Sequence, residues 1–124
     1  MDDLIIKKEN NTPKIEFRTD GELHIEGRSV PENPIRFFEP IFNWVDDFRL
    51  QSPKKVNIYI FLEYFNSGTS KLLLKFLKQM ERMRYSGTDV NLYWYYNEND
   101  QDILEAGQDY ETIVKLPFRF IERV

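Results

Sequence analysis

The chain has no cysteine, and that one absence removes disulfides, thiolate nucleophiles, iron–sulfur clusters and nearly every structural zinc site. A single histidine, His24, is left for imidazole chemistry. The five glycines (Gly21, Gly27, Gly68, Gly87, Gly107) are isolated, and none opens onto the Lys-Ser or Lys-Thr of a phosphate-binding loop, so nucleotide-dependent catalysis is not expected. No hydrophobic run is long. The richest stretch, Ile58 to Phe65, is broken by Glu63 and falls far short of the roughly 20 residues of a membrane helix. Positive charge is scarce too: 17 Lys and Arg stand against 21 Asp and Glu, a net charge of −4. With no basic cluster to neutralise phosphates, nucleic acid is not a partner to expect. The segment from Met1 to Lys8 is acidic where a signal peptide is basic, and with no membrane insertion in prospect the reading is a cytoplasmic protein.

What is present suffices for one dense core. In 124 residues, 41% are apolar and 15% aromatic, well above the composition of disordered chains. No linker or repeat interrupts the chain and the six prolines are scattered, so residues 1–124 read as a single domain. Lys14–Arg18 and Glu22–Glu26 alternate apolar with polar residues around Thr19-Asp20-Gly21, the pattern of a hairpin with an Asp-Gly turn. Phe38, Phe42, Val45 and Phe48 recur at helical spacing, flanked by Phe37, Ile41 and Trp44, which predicts a helix ending near Leu50. Pro40 is tolerated there if that helix begins at or after about Phe37. Val56–Leu62 is nearly continuous in its hydrophobicity, as in a central strand covered on both faces.

A second helix follows, with Leu72, Leu73, Phe76, Leu77, Met80 and Met83 on its apolar stripe, Lys75, Lys78, Gln79 and Arg82 off it, and Gly87 closing it. Val90–Tyr96 reads as a strand, Asp100–Gly107 as a short helix with an acidic start, and Thr112–Phe120 as a last strand interrupted at Pro117. The order ββαβαβαβ predicts an α/β domain: a mixed sheet of four or five strands packed by helices, with right-handed crossovers between parallel strands.

In such folds ligand and reaction sites gather at the carboxyl ends of strands, and there this chain carries Asn66-Ser67-Gly68-Thr69-Ser70. Asn66 or Ser67 can cap the second helix. Free amides and the helix dipole would stabilise an anion added at that end, such as a phosphate on a hydroxyl. Glu63 would repel that charge and Lys71, one turn on, would partly offset it. Read from the residues alone, plain helix caps are the preferred account of these hydroxyls over a functional site.

Pro31-Glu32-Asn33, Phe37-Phe38-Glu39-Pro40, Trp44 and above all Leu62 to Lys71 (Leu-Glu-Tyr-Phe-Asn-Ser-Gly-Thr-Ser-Lys) resemble the SiaC family of bacterial regulatory phosphoproteins over most of the chain. The resemblance implies a fold like that of STAS-type anti-anti-sigma factors and a non-enzymatic adaptor that takes no cofactor. It also implies a phosphoacceptor directly after the Asn, which is Ser67 here. This sequence has Ser where the family has Thr, and Gly68 where a hydroxyl is usual, so Thr69 and Ser70 remain alternatives. The resemblance further implies a protein kinase and a phosphatase acting on this turn, and a diguanylate cyclase bound and activated by the unphosphorylated form. The partner-binding face would comprise Glu63, Tyr64, Asn66, Ser67, Gly68, Thr69, Ser70 and Lys71.

Other signals weigh less. His24 alternates with Leu23 and Ile25 and has no second imidazole or thiolate to share a metal with, so it reads as a surface-facing strand residue. Glu98 to Asp102 lacks the glycine and register of a calcium loop and reads as an acidic helix start. In Tyr93-Trp94-Tyr95-Tyr96 alternate rings face opposite ways, so no single stacking platform is expected and core packing with an amphipathic rim is preferred. Glu39, Asp46 and Asp47 mark a wet helix face rather than a catalytic carboxylate pair. Gly68→Val is expected to disturb the turn if Gly68 has a positive φ, and Lys75→Ala to be nearly silent. Two other functions stay open: a small enzyme with Ser67 or Thr69 as nucleophile, for which only Lys71 is a nearby base, and a sensor holding a small ligand between sheet and helices. Exposed strand edges leave room for a homodimer.

Overall fold

The computed structural model describes residues 1–124. Six strands form one sheet in the order of their synthesis: β1 (Leu4–Ile6), β2 (Lys14–Phe17), β3 (Glu22–Ser29), β4 (Lys55–Phe65), β5 (Asp89–Asn97) and β6 (Phe118–Arg123). The pairs β1–β2 and β2–β3 are antiparallel, and every pair from β3 to β6 is parallel. Helices α1 (Pro34–Arg49), α2 (Ser67–Tyr85) and α3 (Gln101–Ile113) supply the three crossovers. Successive crossovers of one hand between neighbouring strands put all three helices on the same face of the sheet. The hairpin is as expected, with Gly21 at φ +97° and the Asp20 carboxylate accepting from the Glu22 amide at 3.1 Å.

The α/β class and single mixed sheet agree with the sequence, but there are six strands rather than four or five, and the order is βββαβαβαβ. The extra strand is β1, three residues paired to the hairpin from outside. α1 begins at Pro34, not near Phe37: the Asn33 side chain accepts from the Arg36 amide, and Pro34, which needs no amide partner, takes the first helical position. Pro40 is therefore a true interior proline on the exposed side of α1. α3 runs on to Ile113, so the last strand starts only at Phe118.

The core joins the three helices to one face of the sheet. Val56, Ile58, Ile60 and Leu62 of β4 are buried there with Phe38 and Phe48 of α1, Phe76 and Met80 of α2, and Trp94 of β5. The alternate residues of β4 are only half-buried, so this strand is covered on one face and not on both. Gln79, expected off the apolar stripe of α2, is buried and donates to the Phe42 carbonyl and Asp46 carboxylate of α1, each at 3.2 Å.

The uncovered face of the sheet is aromatic. His24 stacks on Tyr59 at 4.5 Å, Tyr59 on Tyr93 at 5.0 Å, and the Arg123 guanidinium lies over the rings of both Phe61 and Tyr95. A stacking platform thus exists after all, assembled across strands β3 to β6 rather than along one strand. His24 does face outward as expected. Tyr59 also donates to Glu22 at 2.9 Å, and burial followed by that carboxylate pushes its phenol up to about 12.

Candidate functional site

The junction of β4 and α2 is built by Asn66. Its backbone is extended (φ −92°, ψ 177°), its amide bonds to the Ser29 carbonyl of β3, and its side chain accepts from the Thr69 amide at 3.0 Å. Asn66 is therefore the cap, and Ser67, Gly68, Thr69 and Ser70 form the first turn of α2 rather than a loop before it. Gly68 has no positive φ. Its lack of a side chain answers a different need, since a Cβ there would stand 3.0 Å from Cγ of Pro34 at the start of α1. The argued strain from left-handed backbone does not apply to Gly68→Val.

The three hydroxyls of this turn have unlike surroundings. Ser67 is exposed. Thr69 is 1% exposed, and its hydroxyl donates to the Ser29 carbonyl at 3.1 Å and meets the Ser29 hydroxyl at 2.9 Å. Ser70 is half-buried and its hydroxyl lies 3.0 Å from that of Tyr110 on α3. Burial raises the Tyr110 phenol, and its hydrogen bond to Ser70 offsets part of that rise.

Ser67 stands at the rim of a cleft of about 360 Å³ bounded by the end of β4 and the amino ends of α2 and α3. Tyr64, Phe65, Ile103 and Ala106 supply its apolar lining; Glu63, Asp100 and Asp102 supply carboxylates. Glu63 is paired with Lys8 at 3.3 Å, and Asp100 caps α3 by accepting from the Ile103 amide at 3.1 Å. Lys71 is exposed one turn along α2. Beneath the cleft Trp94 is held by its indole N–H, which donates to the Ile103 carbonyl at 2.9 Å, and Phe65 meets its ring edge-on. A buried Trp94 with no space beside Gly107 makes this a rigid floor.

The geometry brings together Glu63, Tyr64, Asn66, Ser67 and Ser70 around one recess, with Lys71 beside it and Thr69 turned into the core. It also adds residues that sequence reasoning missed: Asp100, Asp102, Ile103 and Ala106 of α3. Parallel pairing of β4 with β5 sets the amino ends of the helices that follow them side by side. The acidic helix start at Asp100 was legible, but its neighbour was not. His24, on the opposite face of the sheet, takes no part.

The model of the SiaC family of regulatory phosphoproteins matches residues 6–123. This chain belongs to the SiaC family. SiaC-family proteins are regulators, and the chain is accordingly a regulatory protein and not an enzyme. It is 27% identical over 119 residues to an uncharacterised protein of Pseudomonas aeruginosa strain UCBPP-PA14, spanning 95% of this chain and 94% of that one. The structure of SiaC of Pseudomonas aeruginosa superposes with a TM-score of 0.90 at 26% identity, over 99% of this chain and all of that one. A second solved structure holds the diguanylate cyclase SiaD of that organism in complex with its activator SiaC. There the match has a TM-score of 0.92 at 25% identity, over 98% of this chain and 100% of the matched one. No helix of this SiaC-family chain is long and apolar enough to cross a membrane.

Proposed function

We propose that this chain is a cytoplasmic, phosphorylation-controlled activator of a diguanylate cyclase, with Ser67 as the phosphoacceptor and a dedicated kinase and phosphatase setting its state. The observation that carries the reading is the exposed Ser67 hydroxyl at the amino end of α2, on the rim of a cleft, in a chain of the SiaC family. Thr69 and Ser70 are weaker acceptors, because the first is buried against Ser29 and the second is engaged with Tyr110. The family relative named as the activator of a diguanylate cyclase supports the choice of partner.

Unmodified, the rim of the cleft presents Ser67 and Tyr64 to a partner, and the cyclase binds. A phosphate on Ser67 brings a charge of roughly −1.5 to −2 at neutral pH. Free amides at the start of α2 favour it, whereas the carboxylates of Asp100 and Asp102 across the cleft oppose it. The modified rim is bulkier, strongly acidic and hydrated, so the partner is released and cyclic di-GMP synthesis falls.

The test begins with peptide mapping of the protein purified from its own cells, where phosphate is expected between Tyr64 and Lys71, on Ser67. Ser67→Ala and Ser67→Asp are then compared for binding to and stimulation of the purified cyclase. Ser67→Ala should bind and stimulate, and Ser67→Asp should do neither. Equal behaviour of the two variants would count against the switch.

A further inference from the structure

The cleft beside Ser67 does not end at the start of the helices. A second recess of about 230 Å³ runs down the seam between α2 and α3, and the two share Phe65, Ser70 and Ala106 as lining residues. Leu74, Tyr110 and Ile113 carry the apolar floor onward to the carboxyl end of α3, where Ile113 is 49% exposed. The 13 residues of α3 make this seam about 20 Å long at a rise of roughly 1.5 Å per residue.

The two rims differ in charge. On α3 the exposed carboxylates Asp102, Glu105 and Asp109 fall at intervals of three and four residues and so form one stripe along the seam. None of the chain's ion pairs involves them. On α2 the seam is bordered by Lys71. A long, straight groove with an apolar floor and one acidic rim has the shape and chemistry that receives an amphipathic helix, whose apolar residues descend at every third or fourth position.

We propose that the α2–α3 seam is the docking groove for a helix of the partner, one that carries apolar anchors flanked on one side by Lys or Arg. The anchors fill the space over Leu74, Ala106 and Ile113, and the basic flank lies against the Asp102–Glu105–Asp109 stripe, which fixes the direction of the helix. This deepens the proposed function and rests on it. Ser67 sits at the upper mouth of the groove, so a phosphate there occupies the place where one end of the incoming helix must lose its water. The stripe sets who binds, and Ser67 sets when.

Two measurements with the full-length chain and the purified cyclase test the groove separately from the switch. In the first, Ile113→Asp and the charge reversal Glu105→Lys/Asp109→Lys are compared with Ile5→Asp, a substitution at a 52% exposed residue of β1 distant from the seam. Both groove variants should melt with the wild type yet bind roughly tenfold or more weakly, with the charge reversal losing its deficit at high salt, while Ile5→Asp binds normally. In the second, a photo-crosslinking residue at position 113 or at position 59 of the open sheet face is irradiated in the complex and the captured partner peptide is sequenced. Capture from position 113 of a segment with apolar residues at helical spacing and a basic flank is expected. Capture only from position 59, capture of an acidic or non-helical segment, or undiminished binding by the groove variants would overturn the groove and leave the switch standing. A wild-type chain that binds no diguanylate cyclase would overturn both.

Discussion

The Ser70 hydroxyl lies 3.0 Å from the Tyr110 hydroxyl, and Tyr110 in turn donates to the Ser70 carbonyl at 2.8 Å. With the phenol donating to the carbonyl, the serine must donate to the phenol, so the two side chains close a small ring that ties the first turn of α2 to the far half of α3. This ring bridges the seam between the two helices, and just past the end of α3 Lys115 adds two more links to α2, its amide donating to Glu81 at 2.6 Å and its carbonyl accepting from Arg84 at 3.1 Å. Tyr110→Phe removes the Ser70–Tyr110 link without changing the ring packing on Trp94. A loss of about 1 kcal/mol is expected, together with faster amide exchange in α3 than in α1. Unchanged exchange in α3 would show that apolar packing and the Lys115 links suffice to hold the helix.

Ser67 and Thr69 are two residues apart and should behave as opposites under truncation. Ser67→Ala removes an exposed hydroxyl from the first helical position and should leave the stability unchanged within about 0.5 kcal/mol. Thr69→Ala leaves the buried Ser29 hydroxyl short of a partner, at a cost of about 2 kcal/mol. Thermal unfolding of the two proteins side by side checks this. Equal melting temperatures would mean that the Thr69 hydroxyl contributes nothing to the core.

Gly107 and Gly68 are both helical glycines with a close neighbour, and the identity of the neighbour decides the outcome. A Cβ at Gly107 would stand 2.6 Å from Nε1 and 2.7 Å from Cδ1 of Trp94, an indole that its hydrogen bond to Ile103 prevents from turning aside. Gly107→Ala should therefore cost about 2 kcal/mol. At Gly68 the neighbour is one ring carbon of Pro34 at 3.0 Å, at a partly exposed position, and alanine's better helix propensity offsets the squeeze. Gly68→Ala should be near neutral. Chemical denaturation of both resolves the difference; a harmless Gly107→Ala would mean that Trp94 can move.

Tyr59 makes the alkaline limb of stability a local measurement. Its phenol is raised from 10.0 to about 12, first by burial and then by the hydrogen bond to and charge of Glu22. The folded chain therefore keeps this proton where the unfolded chain has given it up, and stability falls as pH rises from about 10 toward about 12. Tyr59→Phe has no proton to lose and should show a shallower decline over that window, read by denaturant midpoints at successive pH values. Parallel declines would show that Tyr59 titrates normally.

Much of this molecule can be read from single residues because the local signals agree with the global fold. The Asp20-Gly21 turn, the apolar stripe of α2 and the Asn66 cap are cases where one short segment determines its own structure. The failures have physical causes as well. β1 is three residues long and exists only because β2 offers it an edge. Thr112-Ile113-Val114 reads as a strand by its β-branched residues, but Tyr110, packed on Trp94, carries the helix through Ile113. Tyr59 and Phe61 make β4 look buried on both faces, when in fact their rings lie on the open side against Tyr93 and Tyr95 of β5. Within the site, the Ser67 rim was legible, being contiguous. The α3 rim was not, because Asp100 meets Ser67 only through the pairing of β4 with β5, which no local pattern encodes.

The identity between strand order in space and strand order in the chain has a consequence for how the protein comes into being. Each new strand emerging from the ribosome, at roughly 5–20 residues per second, finds its partner in the strand completed just before it, and none has to be inserted between two already joined. By the time Phe65 has left the exit tunnel, four strands and α1 can already be in place, with a single growing edge waiting for β5. The molecule can thus be laid down row by row, like knitting, and the turn that carries Ser67 emerges against four finished rows, before β5 and α3 close the cleft beside it.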